Sequence, residues 1–314
     1  MSIVIPAYNE AEGIRRTVDV IRQTLGRCDV DYEIIVVDDG SRDGTYTEIR
    51  RMAEGSKGIR GIRLSRNFGK EAAILAGLQA ARGNAVITID ADLQHPPRLI
   101  PEMIRKWRAG ARIVHGVKRE RAGDSVLVRG RAAVFNRILT LLGGIDMHNA
   151  SDFKLLDRVA VDAVVSQLKE KRRFYRGLVQ WVGFEQETLP FDVEVRKAGR
   201  GKWSLRELVA MSIMAVVSFT STPLRIVTIL GVFTLCFAFA VTVETLWSVH
   251  QGRAVSGFAT LEITILLIGS FIMISLGIVG EYLAKIYDET KARPPYIVGS
   301  RCGFDEGNEP RHRP

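Results

Sequence analysis

Cysteine is scarce in this 314-residue chain, and the three present, Cys28, Cys236 and Cys302, lie far apart. An odd, scattered set fits neither a disulfide framework nor a zinc site, whose ligands recur at short spacings. The thiols therefore read as free groups in a reducing compartment. A signal sequence is also not expected, because Met1-Ser2 runs straight into Ile3-Val4-Ile5, too short an apolar stretch for one. The first domain is expected to stay in the cytoplasm. No basic run is interleaved with aromatics, so nucleic acid is not an expected partner. With 46% hydrophobic and 25% charged residues, the composition is that of a folded protein rather than a disordered one. What the chain does have is an excess of positive charge, +9. Such a surface suits anionic lipid or phosphorylated substrates.

Strands and helices alternate through the first part. Ser2 to Pro6 is a short apolar run ending at a proline, as a buried parallel strand does. Asn9 is placed to cap a following helix, with Glu12 three residues on and apolar positions at Ile14, Val18 and Ile21. Glu33 to Val37 reads as a second strand, Thr45 to Ala53 as a helix, Gly61 to Leu64 as a third strand. Lys70 to Ala81 then reads as a helix and Ala85 to Ile89 as a fourth strand. This rhythm predicts a mostly parallel sheet covered on both faces, with ligands bound beyond the carboxyl ends of the strands.

From about Thr222 the character changes. Ile226 to Val249 and Leu261 to Val279 are long apolar stretches, joined by a short link containing His250-Gln251-Gly252-Arg253. Each is long enough to span a hydrocarbon core of roughly 30 Å. The competing reading is a pair of buried helices in a soluble domain. Lys197, Arg200, Lys202, Arg206 and Arg225 precede the first stretch, and Lys285, Lys291 and Arg293 follow the second, against Arg253 alone in the link. The positive-inside rule then puts both ends of the hairpin in the cytoplasm, and Glu244 and Glu262 near the opposite interface. Trp203 to Phe219 has its apolar residues on one side, the pattern of an amphipathic helix at a membrane surface and equally of a plain packing helix.

Chemistry concentrates at the predicted strand ends. Asp90-Ala91-Asp92 follows the fourth strand, and two carboxylates at that spacing can share one hard cation, Mg2+ or Mn2+. Gln94 or His95 is placed to add a ligand or to orient one. Asp38 and Asp39 after the second strand suit nucleobase N–H groups and ribose hydroxyls, and Tyr8 offers a ring face or a hydroxyl. For Asp39-Gly40 a simple turn is the plainer role.

Pro6-Ala7-Tyr8-Asn9-Glu10, Asp38-Asp39-Gly40-Ser41, Asp43-Gly44-Thr45 and Asp90-Ala91-Asp92-Leu93-Gln94 together resemble the family 2 glycosyltransferases of GT-A fold. Ser65-Arg66-Asn67-Phe68-Gly69-Lys70-Glu71 resembles, more narrowly, their polyprenyl-phosphate branch, the bactoprenol glucosyltransferases and dolichyl-phosphate mannose synthase. So do His95-Pro96-Pro97, Ser151 to Leu155, Arg172-Arg173-Phe174 and Arg196 to Trp203. The resemblance implies an α/β architecture: a GT-A (Rossmann-like, mostly parallel sheet) catalytic domain over 1–200, an amphipathic helix over 201–222, a transmembrane hairpin over 223–284 and a cytoplasmic tail over 285–314.

It also implies roles. Asp90, Asp92 and Gln94 are expected to hold the metal, while Pro6, Tyr8, Glu10, Asp38, Asp39, Asp90 and Ala91 line the nucleotide pocket. Lys118, Arg121, Arg129, Arg196 and Lys202 are expected to meet the phosphate of the lipid acceptor. The sequence has Lys118 where the family often has Arg, and Gly201 where it usually has Ser. Asp92 and Asp152 are the expected catalytic carboxylates, Asp152 orienting the acceptor or serving as base. The implied reaction is inverting transfer of a sugar, glucose favoured, from a nucleotide-sugar such as UDP-glucose to undecaprenyl phosphate at the inner membrane. A homo-oligomer is compatible with this. Two alternatives are a processive polysaccharide synthase, against which the absence of a Gln-x-x-Arg-Trp motif weighs (Gln180 is followed directly by Trp181), and a non-catalytic lipid-binding scaffold.

Overall fold

The computed structural model describes residues 1–118, 150–168, 170, 173–191, 222–252 and 257–304. They fall into two compact units: residues up to Phe191 together with those from Arg293 onward, and the two long helices.

The first unit is built on an eight-stranded sheet. Its strands are β1 Ser2–Ala7, β2 Glu33–Asp38, β3 Ile59–Leu64, β4 Ala85–Thr88, β5 Ile113–Lys118, β6 Ala150–Asp157, β7 Gln186–Phe191 and β8 Val298–Cys302. Their spatial order is β7-β5-β6-β4-β1-β2-β3-β8. β4, β1, β2 and β3 run parallel, as the alternating sequence pattern predicts, whereas β6 is antiparallel to both β4 and β5. Helices α1 Ile14–Leu25, α2 Thr45–Gly55, α3 Lys70–Ala80, α4 Ile100–Arg108, α5 Arg158–Asp162 and α6 Tyr175–Trp181 complete the unit.

Side chains alternate across a strand, so β1 and β2 feed two cores. Ile3, Ile5, Ile34 and Val36 join Ile14, Val18 and Ile21 of α1 on one face, while Val4, Ile35 and Val37 join Ile74 and Leu78 of α3 on the other. That explains why both strands read as continuous apolar runs. It also explains α3, which is buried from Ala72 through Leu78.

Asn9 does not cap α1, as the sequence suggests. Gly13 occupies the N-cap, and Asn9 adopts a left-handed backbone (φ 52°). Its amide donates to Ser41 Oγ (2.9 Å) and its Oδ1 accepts from the Arg42 amide (2.9 Å). The asparagine stitches the loop after β1 to the loop after β2, a contact no local spacing reveals.

β8 is the second departure. The segment expected to be a tail returns to the sheet and lies antiparallel against β3, with Gly61 opposite Cys302 and Leu64 opposite Val298. Gly61 makes room for it: a Cβ there would stand 2.5 Å from both Cys302 Sγ and Ile49 Cγ2.

The second unit comprises α7 Thr222–His250 and α8 Phe258–Thr290. Val227–Ser248 and Thr264–Thr290 are long and apolar enough to cross a membrane, and none of either apolar window is buried within the chain. The competing reading of a buried helix pair would hide such residues, and within this chain they are not hidden. Side chains such as Leu235 and Phe239 (both 70% exposed) need an apolar cover. α8 continues past the apolar stretch because Glu281 to Lys285 are helix formers and no proline intervenes before Pro294. The expected amphipathic helix lies outside the described residues, except that Thr222 begins α7.

Candidate active site

The sheet reverses its strand order between β1 and β4, which places a crevice at their carboxyl ends. A cleft of about 300 Å3 opens there. Pro6, Tyr8 and Glu10 reach it from β1, Asp39 from β2, and Asp90, Ala91 and Asp92 from β4. Asn67, Gly69 and Lys70 complete the wall from the β3–α3 connection. All but one of the residues expected to line the nucleotide pocket are thus brought together.

Asp38 is the exception. It is fully buried and does not line the cleft. Its Oδ1 accepts from the Ser41 amide (3.0 Å), and Arg63 Nε lies 3.4 Å from its Oδ2. Asp38 therefore shapes the β2 loop from below. Its neighbour Asp39 spends both carboxylate oxygens on backbone amides, Phe68 at 2.8 Å and Gly69 at 2.9 Å. Burial pushes the Asp39 carboxyl up and those two N–H groups pull it down. Gly40 allows the two loops to meet: its φ is 66°, and a Cβ there would sit 2.3 Å from the Arg66 carbonyl carbon.

The Asp90–Gln94 turn is fixed from several sides. Thr17 Oγ1 donates to the Ala91 carbonyl (2.6 Å), anchoring the turn to α1. Leu93 takes a left-handed backbone (φ 56°), uncommon for a non-glycine residue. The Gln94 amide donates to Asp92 Oδ1 (3.1 Å). Gln94 thus orients Asp92 through its backbone, and its side chain is not part of the cleft wall.

Among the described residues no three His, Cys, Asp or Glu side chains gather as a complete metal cage. The donor set fits a hard divalent cation nonetheless. Asp90 and Asp92 present oxygen only, and Asp90 already attracts a cation, since Lys70 Nζ lies 2.6 Å from its Oδ1. Mg2+ is commonly held by one or two carboxylates plus substrate phosphates rather than by an all-protein cage.

Lys70 also belongs to a second ion pair beneath the cleft. Its Nζ is 2.6 Å from Asp152 Oδ2, and Arg176 grips the same carboxylate through Nε (2.6 Å) and Nη2 (3.0 Å). The Asp152 side chain is 7% exposed. Burial alone would raise its pKa, but Lys70 and Arg176 more than offset this and hold it well below the usual carboxylate range. The geometry makes Asp152 an anchor for two cations. For Lys70 burial acts downward, yet Asp152 and Asp90 keep its ammonium above the ordinary lysine value.

Glu71 lies next to this network, its Oε2 accepting from the Tyr175 amide (2.9 Å). Burial first, then the nearby Asp152, raise its pKa to about 7. The folded state therefore takes up a proton at Glu71 between the ordinary 4.5 and about 7, and stability falls as pH climbs through that window. Glu71→Gln is expected to stabilise the protein by about 1–2 kcal/mol near pH 8 and to flatten its pH dependence below about 7. Thermal unfolding across pH measures both, and an unchanged melting temperature near pH 8 contradicts a buried charge here.

Lys118 ends β5, and its side chain, like Arg121, Arg129, Arg196 and Lys202, lies outside the described residues. Lys70, Asn67, Glu71 and Arg176 carry much of the site without an assigned role at the sequence level. The first three stand inside the Ser65–Glu71 motif, which was the available signal. Arg176 has no local signature, because its partner is 24 residues away.

Residues 2–164 match the profile of Glycosyl transferase family 2. An uncharacterized glycosyltransferase of Synechocystis sp. (strain ATCC 27184 / PCC 6803 / Kazusa) is 39% identical over 310 residues, covering 97% of this chain and 96% of its own. The bactoprenol glucosyl transferase of Shigella phage SfX is 33% identical over 306 residues, covering 96% and 99%. Among solved structures, glucosyl-3-phosphoglycerate synthase from Mycobacterium tuberculosis, in complex with Mn2+, uridine diphosphate and phosphoglyceric acid, aligns at TM-score 0.48. Its identity is 25%, over 69% of this chain and 75% of that one.

Proposed function

The chain belongs to glycosyl transferase family 2, and from that premise we propose that it transfers glucose from UDP-glucose to undecaprenyl phosphate at the cytoplasmic face of a membrane. The observation that carries this reading is the cleft itself, where three strand-end carboxylates and one ammonium converge beside a ring and a tight backbone wall. The relative named a bactoprenol glucosyl transferase supports the lipid acceptor over nearly the full length of both chains. The two exposed apolar helices support a membrane location.

In this reading Pro6, Tyr8 and Asp39 receive the nucleoside, and Asp90 and Asp92 hold Mg2+ or Mn2+. That ion, when bound, offsets the charge gathering on the departing nucleoside diphosphate. The Lys70 ammonium faces the same part of the cleft and adds to that positive field. The acceptor is a phosphate monoester, largely dianionic at neutral pH, so it attacks without a strong base. An Asp152 locked between Lys70 and Arg176 is compatible with that. Attack in line with the leaving group inverts the anomeric centre. Lys118, Arg121, Arg129, Arg196 and Lys202 are assigned to the acceptor phosphate, and holding the acceptor at the membrane surface supplies the orientation.

The test is to offer purified protein a panel of nucleotide-sugars with undecaprenyl phosphate and to identify the product lipid by mass. A glucosyl phospholipid formed from UDP-glucose, with its anomeric configuration inverted, is the expected product. A growing glycan chain would favour a processive synthase. No turnover with any donor, alongside tight lipid binding, would favour a scaffold.

A further inference from the structure

We propose that Lys70 is the resident counter-cation of Asp90, holding that carboxylate while the cleft has no divalent ion and releasing it when metal and nucleotide arrive together. This rests on the metal reading of Asp90 and Asp92. It adds a residue that sets when the metal binds.

Lys70 Nζ stands 2.6 Å from Asp90 Oδ1 and 2.6 Å from Asp152 Oδ2. The two contacts are unequal. Asp152 is 7% exposed and also gripped by Arg176 at 2.6 and 3.0 Å, so it stays neutralised whatever Lys70 does. Asp90 is 24% exposed and stands on the cleft wall, with His95 Nδ1 3.6 Å from its other oxygen. An ammonium has three donors and no acceptor, so it is no metal ligand but a competitor for the same carboxylate oxygen.

The position of Lys70 makes it a willing leaver. It is the first residue of α3, where the helix dipole disfavours positive charge. Its place there is held by the two carboxylates, and its side chain is 41% exposed toward the cleft. When Asp90 turns to a divalent ion, Lys70 keeps Asp152 and has donors left for phosphate oxygens. The metal-free cleft is thus kept from collecting free metal, and metal and nucleotide bind with positive coupling.

Mn2+ binding to the full chain, followed by electron paramagnetic resonance without nucleotide and again with UDP, tests this. Lys70→Met is expected to bind Mn2+ about tenfold more tightly than the parent without nucleotide, the size of one modest charge contact. UDP should then add less to Mn2+ affinity than it does in the parent. Lys70→Arg, which keeps the charge, should behave like the parent. A folded Lys70→Met protein that binds Mn2+ no more tightly overturns the proposal. The parent offers a second measurement: Mn2+ should raise amine labelling of Lys70, read by mass spectrometry relative to Lys106. Unchanged labelling on Mn2+ binding likewise overturns it. Failure of every variant to bind Mn2+, even with UDP, brings down the metal reading itself, an outcome distinct from Mn2+ binding that ignores Lys70.

Discussion

Replacing Asp92 with Asn is expected to lower sugar transfer about a hundred- to a thousandfold while leaving the fold in place. The two halves of that expectation come from different atoms. Asn keeps an Oδ1, so the hydrogen bond from the Gln94 amide survives, and with it the turn in which Leu93 holds its left-handed backbone. What is lost is one negative charge from the pair of carboxylates proposed to hold a divalent ion. Among the described residues no group of three His, Cys, Asp or Glu side chains gathers to hold the ion in its place. Product lipid quantified by mass gives the rate, and thermal melting of the same sample reports the fold. Near-normal transfer would sink the assignment of Asp92 to the metal.

A second large effect is expected at Asp152, in stability as much as in rate. Asp152→Asn leaves Lys70 and Arg176 facing each other without their shared anion. Breaking a buried ion pair from one side costs about 3–5 kcal/mol. Here both cations keep partial access to solvent, at 41% and 35% exposure, so about 2–3 kcal/mol is the better expectation. The sign with pH follows from the direction of the shift. A carboxyl held below its ordinary 3.8 contributes fully above that value and loses its contribution as pH falls toward the folded one. The parent should therefore melt higher than Asp152→Asn near neutrality, and the two should converge in strong acid. A role as base predicts instead a variant of parental stability with only its rate reduced. Unfolding of the full chain in detergent across pH separates the two.

The sequence made one half of the sheet legible and hid the other. β1, β2 and β4 are wholly buried, and their apolar runs end at Pro6, Asp38 and Ile89, close to where the strands stop. Past Ile89 the signal fades for identifiable reasons. β5 carries a histidine and a glycine in its middle, and β7 includes Pro190. β6 buries Asp152 and Lys154, charged residues that a pattern-based reading assigns to solvent. Lys154 is tolerated because its Nζ meets His115 Nδ1 at 2.6 Å, and burial lowers its pKa to about 7. The site divides in the same way. Asp39, Asp90 and Asp92 are visible because they stand where strands end. Asp38 has the same local signature, yet it is fully buried against Ser41 and Arg63 and does not line the cleft. The Asp152–Arg176 clamp joins a strand to a helix, and no spacing along the chain announces it.

The strand that completes the sheet has a consequence for how the protein is made. β3 is synthesised early, but the partner for its outer edge, β8, is among the last residues of the described chain. Until then the nascent domain carries an unpaired strand edge, the kind of surface that invites pairing with other chains. Both apolar helices lie between the two strands in sequence, so they leave the ribosome before β8 can dock. On the membrane reading, insertion of the hairpin precedes closure of the sheet, and only a hairpin that returns its end to the starting side can deliver β8. On that reading a misinserted hairpin would leave the outer edge of β3 without its partner strand.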